Sequence, residues 1–329
     1  MTSVASLSAC GALPHRRGPS ADIEVLDDDL HSLFPAGAAL ETLATGYMWS
    51  EGPAWDRDRN ALYFTDVPGN TAYRWRRETG AQIFLEPSGA ATVEGFREAG
   101  ANGLWFARDG RLIVCNHGLR RVEAIDLDTQ SRTRLVDRFE GHRFNSPNDV
   151  VEARDGTIYF TDPPYGLAGL DASPLKEMGA NGVYRLNPDG VVTRLISDMT
   201  FPNGIALSPD ERRLYISQSD PKAPLIRTLI LSSGGSPSDD GLFFDAGPLM
   251  SESAPGLPDG MAVAQSGHIL ATGPGGVLVL SPTGRLLGRI RTGRATANCT
   301  FGEDGTILFI TAHDRLLRIP TLMTGVQWS

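Results

Sequence analysis

The chain lacks the features that mark several large protein classes. It has three cysteines in 329 residues, Cys10, Cys115 and Cys299. An odd count at such wide spacing makes neither a disulfide framework nor a zinc knuckle. Cys115 and Cys299 sit inside apolar runs, where buried thiols are inert. Basic charge is in deficit: 30 Lys and Arg against 39 Asp and Glu leave a net charge of -9. Nucleic-acid binding needs a basic face, so no nucleic-acid partner is expected. No stretch approaches the ~20 apolar residues of a membrane span. Helical periodicity of useful length is missing; the most helix-like piece, "TVEGFREAGA" at 92–101, is short. There is no G-x-S-x-G, and the nearest string, "SSGGS" at 232–236, lies in a Gly/Ser-rich loop, which argues against a serine hydrolase. A phosphate-binding G-x-x-x-x-G-K-S/T loop and a dinucleotide fingerprint are also lacking.

What is present is turn chemistry and repetition. The 37 glycines and 22 prolines imply many turns, and 41% hydrophobic residues suffice for a core. A unit recurs: an oxygen-bearing residue, an apolar strand, a D-G-type turn, and a further apolar strand. It is seen in "SEGPAWDRDRNALYFTD", "ANGLWFARDGRLIVCN", "SPNDVVEARDGTIYFTD", "FPNGIALSPDERRLYIS", "LPDGMAVAQSGHILATG" and "ANCTFGEDGTILFITA". The marked residues are Glu51, Asn102, Asn148, Asn203, Asp259 and Asn298, with gaps of 51, 46, 55, 56 and 39. Two more strands follow in several units, such as "RRVEAIDL" then "RTRLVD". Four strands per unit at this period predict an all-β, six-bladed β-propeller with four-stranded blades. The expected layout is a flexible lead-in over 1–37 and a single catalytic propeller domain over 38–329. Within it, "AALETLATGY" at 38–47 is expected to pair with the last blade and close the ring.

In a propeller the first strand of each blade lines the central channel, so the six marked residues are expected to face one axis. Asn-Gly and Asp-Gly are common turn pairs, and any one of them reads first as a turn. Glu is no turn residue, and Glu51 in this series points to a site. Two carboxylates with amide oxygens suit a hard cation such as Ca²⁺, which takes about 6–8 oxygen ligands. Without a cation, two buried carboxylates would be costly.

At these residues the sequence resembles the regucalcin (senescence marker protein)–gluconolactonase family of six-bladed propellers, over about residues 45–325. The motifs are "WSEGPAWDRDRNALYFTDV", "RFNSPNDVVEARDGTIYFTDPPYG", "FPNGIALSPDERRLYIS" and "PDGMAV". Of these, the motif that contains Arg143 and Asn148 is the most specific and resembles the bacterial gluconolactonase branch. The resemblance implies a metal held by Glu51, Asn203 and Asp259, with Asn148 as fourth ligand or substrate contact. It also implies substrate oxygens held by Asn102 and Arg143. Ca²⁺ is the expected ion, with Zn²⁺, Mg²⁺ or Mn²⁺ as other divalent choices. Asp259 is the first choice as base. Ligation would lower its proton affinity, which keeps His117 and His313 as alternatives, each following the inner hairpin of its blade. Tyr165 in "DPPYG" is expected at the pocket entrance. His15, His31, His142 and His268 receive no role.

The expected activity is metal-dependent hydrolysis of a small-molecule sugar lactone such as glucono-1,5-lactone to the aldonic acid. The alternatives are a phosphotriesterase- or arylesterase-like hydrolase on the same scaffold and a non-catalytic calcium- or ligand-binding propeller. Specificity is expected in the loops 164–182 and 219–226. "LSAC" at 7–10 resembles a lipoprotein cleavage box but lacks a charged leader and a full apolar segment. A cytoplasmic location is therefore expected, or a periplasmic, lipid-anchored one if translation starts upstream. Oligomeric state has no readable signal.

Overall fold

The computed structural model describes residues 20–92, 94–231 and 237–328. Cys10, His15, the 7–10 box, Val93 and the 232–236 loop lie outside them. Each repeat folds as a four-stranded antiparallel sheet. The sheets span 50–85, 101–136, 150–196, 202–245, 261–290 and 298–320 and are called blades 1 to 6 in that order. Among the described residues the remaining regular structure is two N-terminal strands, Ile23–Val25 and Glu41–Thr45, a few short 3₁₀ turns and one two-residue hairpin pair, Arg138–Phe139 with His142–Arg143. The helix-like piece around 92–101 forms no helix; Phe96 instead bridges to Leu167.

The hairpins form where aspartates can close them. The Asp109 and Asp155 carboxylates accept from the amides of Arg111 and Thr157 at 3.0 and 2.9 Å, the Asx-turn pattern. Apolar residues on both faces of the inner strands then pack between blades. The contact of blades 6 and 1 buries Trp55, Leu62, Phe64, Trp75, Phe309 and Leu316, and Trp55 stacks on Phe309 at 5.2 Å. Five further buried clusters complete the core. Each such side chain contributes about 1.5–3 kcal/mol by leaving water.

Closure follows the sequence expectation. Glu41–Thr45 pairs antiparallel with Arg315–Pro320, supplying the outer strand of blade 6. Residues 20–37 do more than lead in. Ile23–Val25 adds a fifth strand to blade 5, against Leu286–Ile290. Leu30, Leu33 and Phe34 are buried in the cluster between blades 5 and 6. A three-residue strand carries too little alternation to be read in advance.

Candidate functional site

The ring residues stand where the inner strands break register. The ladder shifts between Glu51 and Ala54, between Ala101 and Leu104, and between Pro202 and Ile205. Such a bulge re-aims a side chain, and here the re-aimed residues are Glu51, Asn102 and Asn203. The glycine after each is needed less for a turn than for close approach. A Cβ on Gly52 would lie 2.1 Å from the Asn102 carbonyl oxygen, and one on Gly204 2.1 Å from that of Asp259. Blade-to-blade backbone contact at the axis thus explains the recurring Gly.

Each ring residue is also held by its neighbours. Hydroxyls on the second strand of one blade donate to the ring carbonyl of the next: Thr65 to Asn102 at 3.1 Å, Thr161 to Asn203 at 2.6 Å and Ser217 to Asp259 at 2.6 Å. The loops entering blades 1 and 3 are fastened by carboxylates. Asp66 accepts from the amides of Met48 and Trp49. Asp162 accepts from those of Asn145 and Ser146 at 2.8 and 2.9 Å.

The amides form a chain around the axis. Asn102 Nδ2 donates to Asn148 Oδ1 at 2.8 Å, Asn148 Nδ2 donates to Asn203 Oδ1, and Asn203 Nδ2 donates to Ser219 Oγ at 2.8 Å. Ser219 in turn donates to the Pro258 carbonyl, beside Asp259, at 2.6 Å. His117 is fully buried, and its Nε2 lies 3.2 Å from Asn102 Nδ2 and 3.3 Å from Asn148 Oδ1. Burial lowers the pKa of His117 to about 4, so the ring is neutral at ordinary pH.

Glu51 and Asp259 complete the circle. Trp49 Nε1 donates to Glu51 Oε1 at 3.3 Å, and the Gly52 amide donates to Oε2 at 3.0 Å. Desolvation raises the pKa of both carboxyls above the usual carboxylate range, and nearby negative charge adds to it. Asp149 and Glu98 act on both, and Glu51 acts on Asp259. Two such carboxyls are costly to ionise together; protonation of one, or a cation between them, removes that cost. Asn203 Oδ1 accepts from Asn148, and Asn148 Oδ1 accepts from Asn102 with His117 Nε2 also 3.3 Å away; a carbonyl oxygen has two lone pairs. Among the described residues no three His, Cys, Asp or Glu side chains gather as one metal cluster. The donor set is therefore mixed carboxylate and amide oxygen, which fits a hard divalent ion.

Known proteins can now be set beside this geometry. Residues 49–314 match the family described as SMP-30/Gluconolactonase/LRE-like region. The chain belongs to the SMP-30/gluconolactonase family. A gluconolactonase of Zymomonas mobilis is 41% identical over 308 residues, covering 90% of this chain and 85% of that protein. A pentonolactonase of Haloferax volcanii is 29% identical over 266 residues, 79% of this chain and 80% of that one. The solved structure of a gluconolactonase from Xanthomonas campestris superposes with a TM-score of 0.79 at 34% identity, covering 91% and 94% of the two chains.

Within this SMP-30/gluconolactonase chain, the residues singled out from sequence sort into three groups. Asn102, Asn148, Asn203 and His117 are joined by hydrogen bonds, and Glu51 and Asp259 are coupled through their charges. Tyr165 and His313 stand around them. Tyr165 stacks on Phe201 at 5.7 Å, and its hydroxyl is buried with no hydrogen-bond partner within the described residues. The hydroxyl is close enough to Asp259 for that charge to raise its pKa, after desolvation. His313 is half exposed and meets Trp49 edge-on at 5.6 Å. Arg143 and Asn298 are turned elsewhere. The Arg143 guanidinium donates to the Leu119 carbonyl at 3.0 Å, because the extra residues of "RFNSPND" place it on the small hairpin. Asn298 Oδ1 accepts from its own neighbour, the Cys299 amide, at 2.8 Å, and its side chain lies near enough to the buried Asp149 carboxylate to lower its pKa.

Four residues at the site were not anticipated: Trp49, Glu98, Asp149 and Ser219. Trp49 and Asp149 adjoin motif residues and could have been noted on that ground. Glu98 and Ser219 lie on loops whose approach to the axis depends on tertiary folding.

Proposed function

We propose that the protein is a lactonase that hydrolyses sugar lactones, of which glucono-1,5-lactone is the first to test, with a divalent ion, Ca²⁺ by preference, at the axial ring. Family membership and the gluconolactonase and pentonolactonase relatives support the reaction class. The observation that carries the metal is the pairing of Glu51, a buried carboxyl of blade 1, with the partly buried Asp259 at the entry to blade 5, beside amide oxygens of blades 3 and 4. Glu51, Asn148, Asn203 and Asp259 would hold the ion. When bound, such an ion polarises a carbonyl oxygen as a Lewis acid.

The chain's own groups do the rest. Asn102, its Nδ2 engaged by Asn148 and His117, meets a substrate hydroxyl through its Oδ1. The Tyr165 hydroxyl, beside Asp259, Ser219 and Asn203, offers a donor to the substrate. The Tyr165–Phe201 stack and the Trp49–His313 contact give the lactone ring apolar surface and exclude bulk water. His117, kept neutral, locks the Asn102 and Asn148 amides in orientation rather than exchanging protons.

The test is acid release from a panel of aldono-1,4- and 1,5-lactones, run after chelation and after restoring Ca²⁺, Mg²⁺, Mn²⁺ or Zn²⁺ singly. Activity on sugar lactones that disappears with chelator and returns with a cation is expected. Full activity in chelator would remove the metal from the reading. Turnover of aryl esters or fluorophosphates with none of lactones would replace the substrate class.

A further inference from the structure

We propose that Glu98, which lies on a cross-loop outside the axial ring, is the proton acceptor for the water that attacks the lactone. This rests on the lactonase reading above and deepens it.

Glu98 belongs to the 86–100 connection between the outer strand of blade 1 and the inner strand of blade 2. That connection is zipped to the loop following Tyr165. The amides of Arg97 and Glu98 donate to the Gly166 carbonyl at 2.9 and 3.3 Å, and that of Ala168 donates to Gly95 at 3.0 Å. Two loops from different blades thereby bring Glu98 and Tyr165 to one wall. The Glu98 side chain is 13% exposed. Its Oε1 meets Arg97 at 3.0 Å, and its Oε2 lies 3.9 Å from His117 Nδ1. His117 Nδ1 is itself buried without a hydrogen-bond partner among the described residues. The groups facing Glu98 are thus Arg97 from its own loop, His117 from blade 2, and the charges of Glu51 and Asp259 across the site.

Four carboxyls interact here electrostatically, Glu51, Glu98, Asp149 and Asp259, yet no three of them gather closely enough to chelate one ion. Two belong to the ring, and their lone pairs are committed if the ring holds a cation. Asp149 accepts from the Ile205 amide at 3.1 Å, which leaves Glu98, paired by Oε1 to Arg97, with Oε2 to take a proton. The other candidates fit the task less well. Burial makes His117 a weak base, and its Nε2 is engaged by Asn102 and Asn148. His313 is 48% exposed at the rim against Trp49. The Arg97 guanidinium, itself half exposed, partly offsets the charge of Glu98 without enclosing it.

The step balances with water alone. The water oxygen bonds to the lactone carbonyl carbon while one of its protons passes to the Glu98 carboxylate, and the carbonyl π pair moves onto oxygen. When that pair returns, the bond from carbon to the ring oxygen breaks. The departing oxygen takes the proton back from the Glu98 carboxylic acid. The product is the open hydroxy acid, and Glu98 is again a carboxylate.

The test compares wild type, Glu98→Gln and Glu98→Ala as purified full-length protein on a lactone that the wild type hydrolyses. Glu98→Gln is expected to lower kcat by about 10²–10⁴-fold, with KM little changed. It should also lose the fall in kcat/KM toward acid pH that a required carboxylate imposes. Ca²⁺ affinity by calorimetry should fall by no more than about tenfold, the loss expected for removing a charge near the ring, and the unfolding midpoint should match wild type. Added formate should restore part of the turnover of Glu98→Ala in proportion to its concentration. Retained kcat in Glu98→Gln would overturn the proposal. A raised KM at constant kcat would overturn it in favour of a substrate-hydroxyl contact. Lost Ca²⁺ binding would overturn it in favour of a ligand, and Glu98→Ala unresponsive to formate would leave Glu98 a structural residue. A wild type inactive on every lactone would instead remove the lactonase reading, and this inference with it.

Discussion

The two ends of the axial channel differ in kind. The lower end is roomy, a cavity of about 500 Å³ walled by Leu104, Trp105, Ile205, Met261 and Val326. The upper end is crowded with oxygen: Glu51, Asp259 and the amides of Asn102, Asn148 and Asn203. Asp149 and Asn298, from opposite blades, lie close together and line the lower cavity. Their carboxyl–amide pair is the boundary between the two ends. Volume alone would select the wrong end. Chemistry selects the upper one, because there Glu51 and Asp259 raise each other's cost of ionisation beside a ring of amide oxygens.

Several substitutions would break or sharpen that contrast. The largest effect is expected from the ring carboxyls. Asp259→Asn or Glu51→Gln should lower lactone turnover on the order of 10³-fold and weaken cation binding, while circular dichroism and the unfolding midpoint stay near wild type. A cooperative loss of fold in both variants would contradict a purely axial role.

Next comes pH. The folded pKa of His117 is about 4, below the ordinary value of 6.5. Between those values the unfolded chain binds the proton and the folded one does not. Stability therefore rises with pH across this window and is lost as pH falls through it, by roughly 3 kcal/mol. Urea titrations at pH 7 and pH 4 on wild type and His117→Gln would show it. Equal pH dependence in both would exclude His117 as the source.

Gly204→Ala follows. Its Cβ would meet the backbone oxygen of Asp259, which has little room to yield. A loss of about 1–3 kcal/mol is expected, with turnover falling through displacement of Asp259. A stability unchanged from wild type would show that the blades can part at the axis.

Asp149→Asn probes the boundary itself. It removes a negative charge that acts on both ring carboxyls, so cation affinity should weaken by up to about tenfold, worth about 1.4 kcal/mol. Tighter binding would contradict the sign. At the lower end, Val326→Ala should leave turnover within about twofold of wild type. A large loss there would move the site.

Much of this arrangement was legible in the sequence. The six blades follow from turn residues at fixed offsets between apolar runs, and the ring follows because the same offset carries Glu51, Asn148, Asn203 and Asp259. Turn chemistry and strand alternation are local, so they survive in one dimension. The strand Ile23–Val25 was hidden by its length, and Glu98 by its dependence on a loop zipper between residues far apart in the chain. Arg143 misled because inserted residues changed its direction without changing its neighbours in the motif. Asn298 misled because the repeat fixes where a residue stands on its blade, while a partner such as Asp149 decides which way its amide turns.

The central claim is that one divalent ion sits among Glu51, Asn148, Asn203 and Asp259. Anomalous diffraction from crystals grown with Ca²⁺ or Mn²⁺ tests it most directly. A single strong peak within about 2.6 Å of oxygens from these side chains is expected. A peak elsewhere, or none in crystals of protein that hydrolyses lactone in chelator, would contradict it.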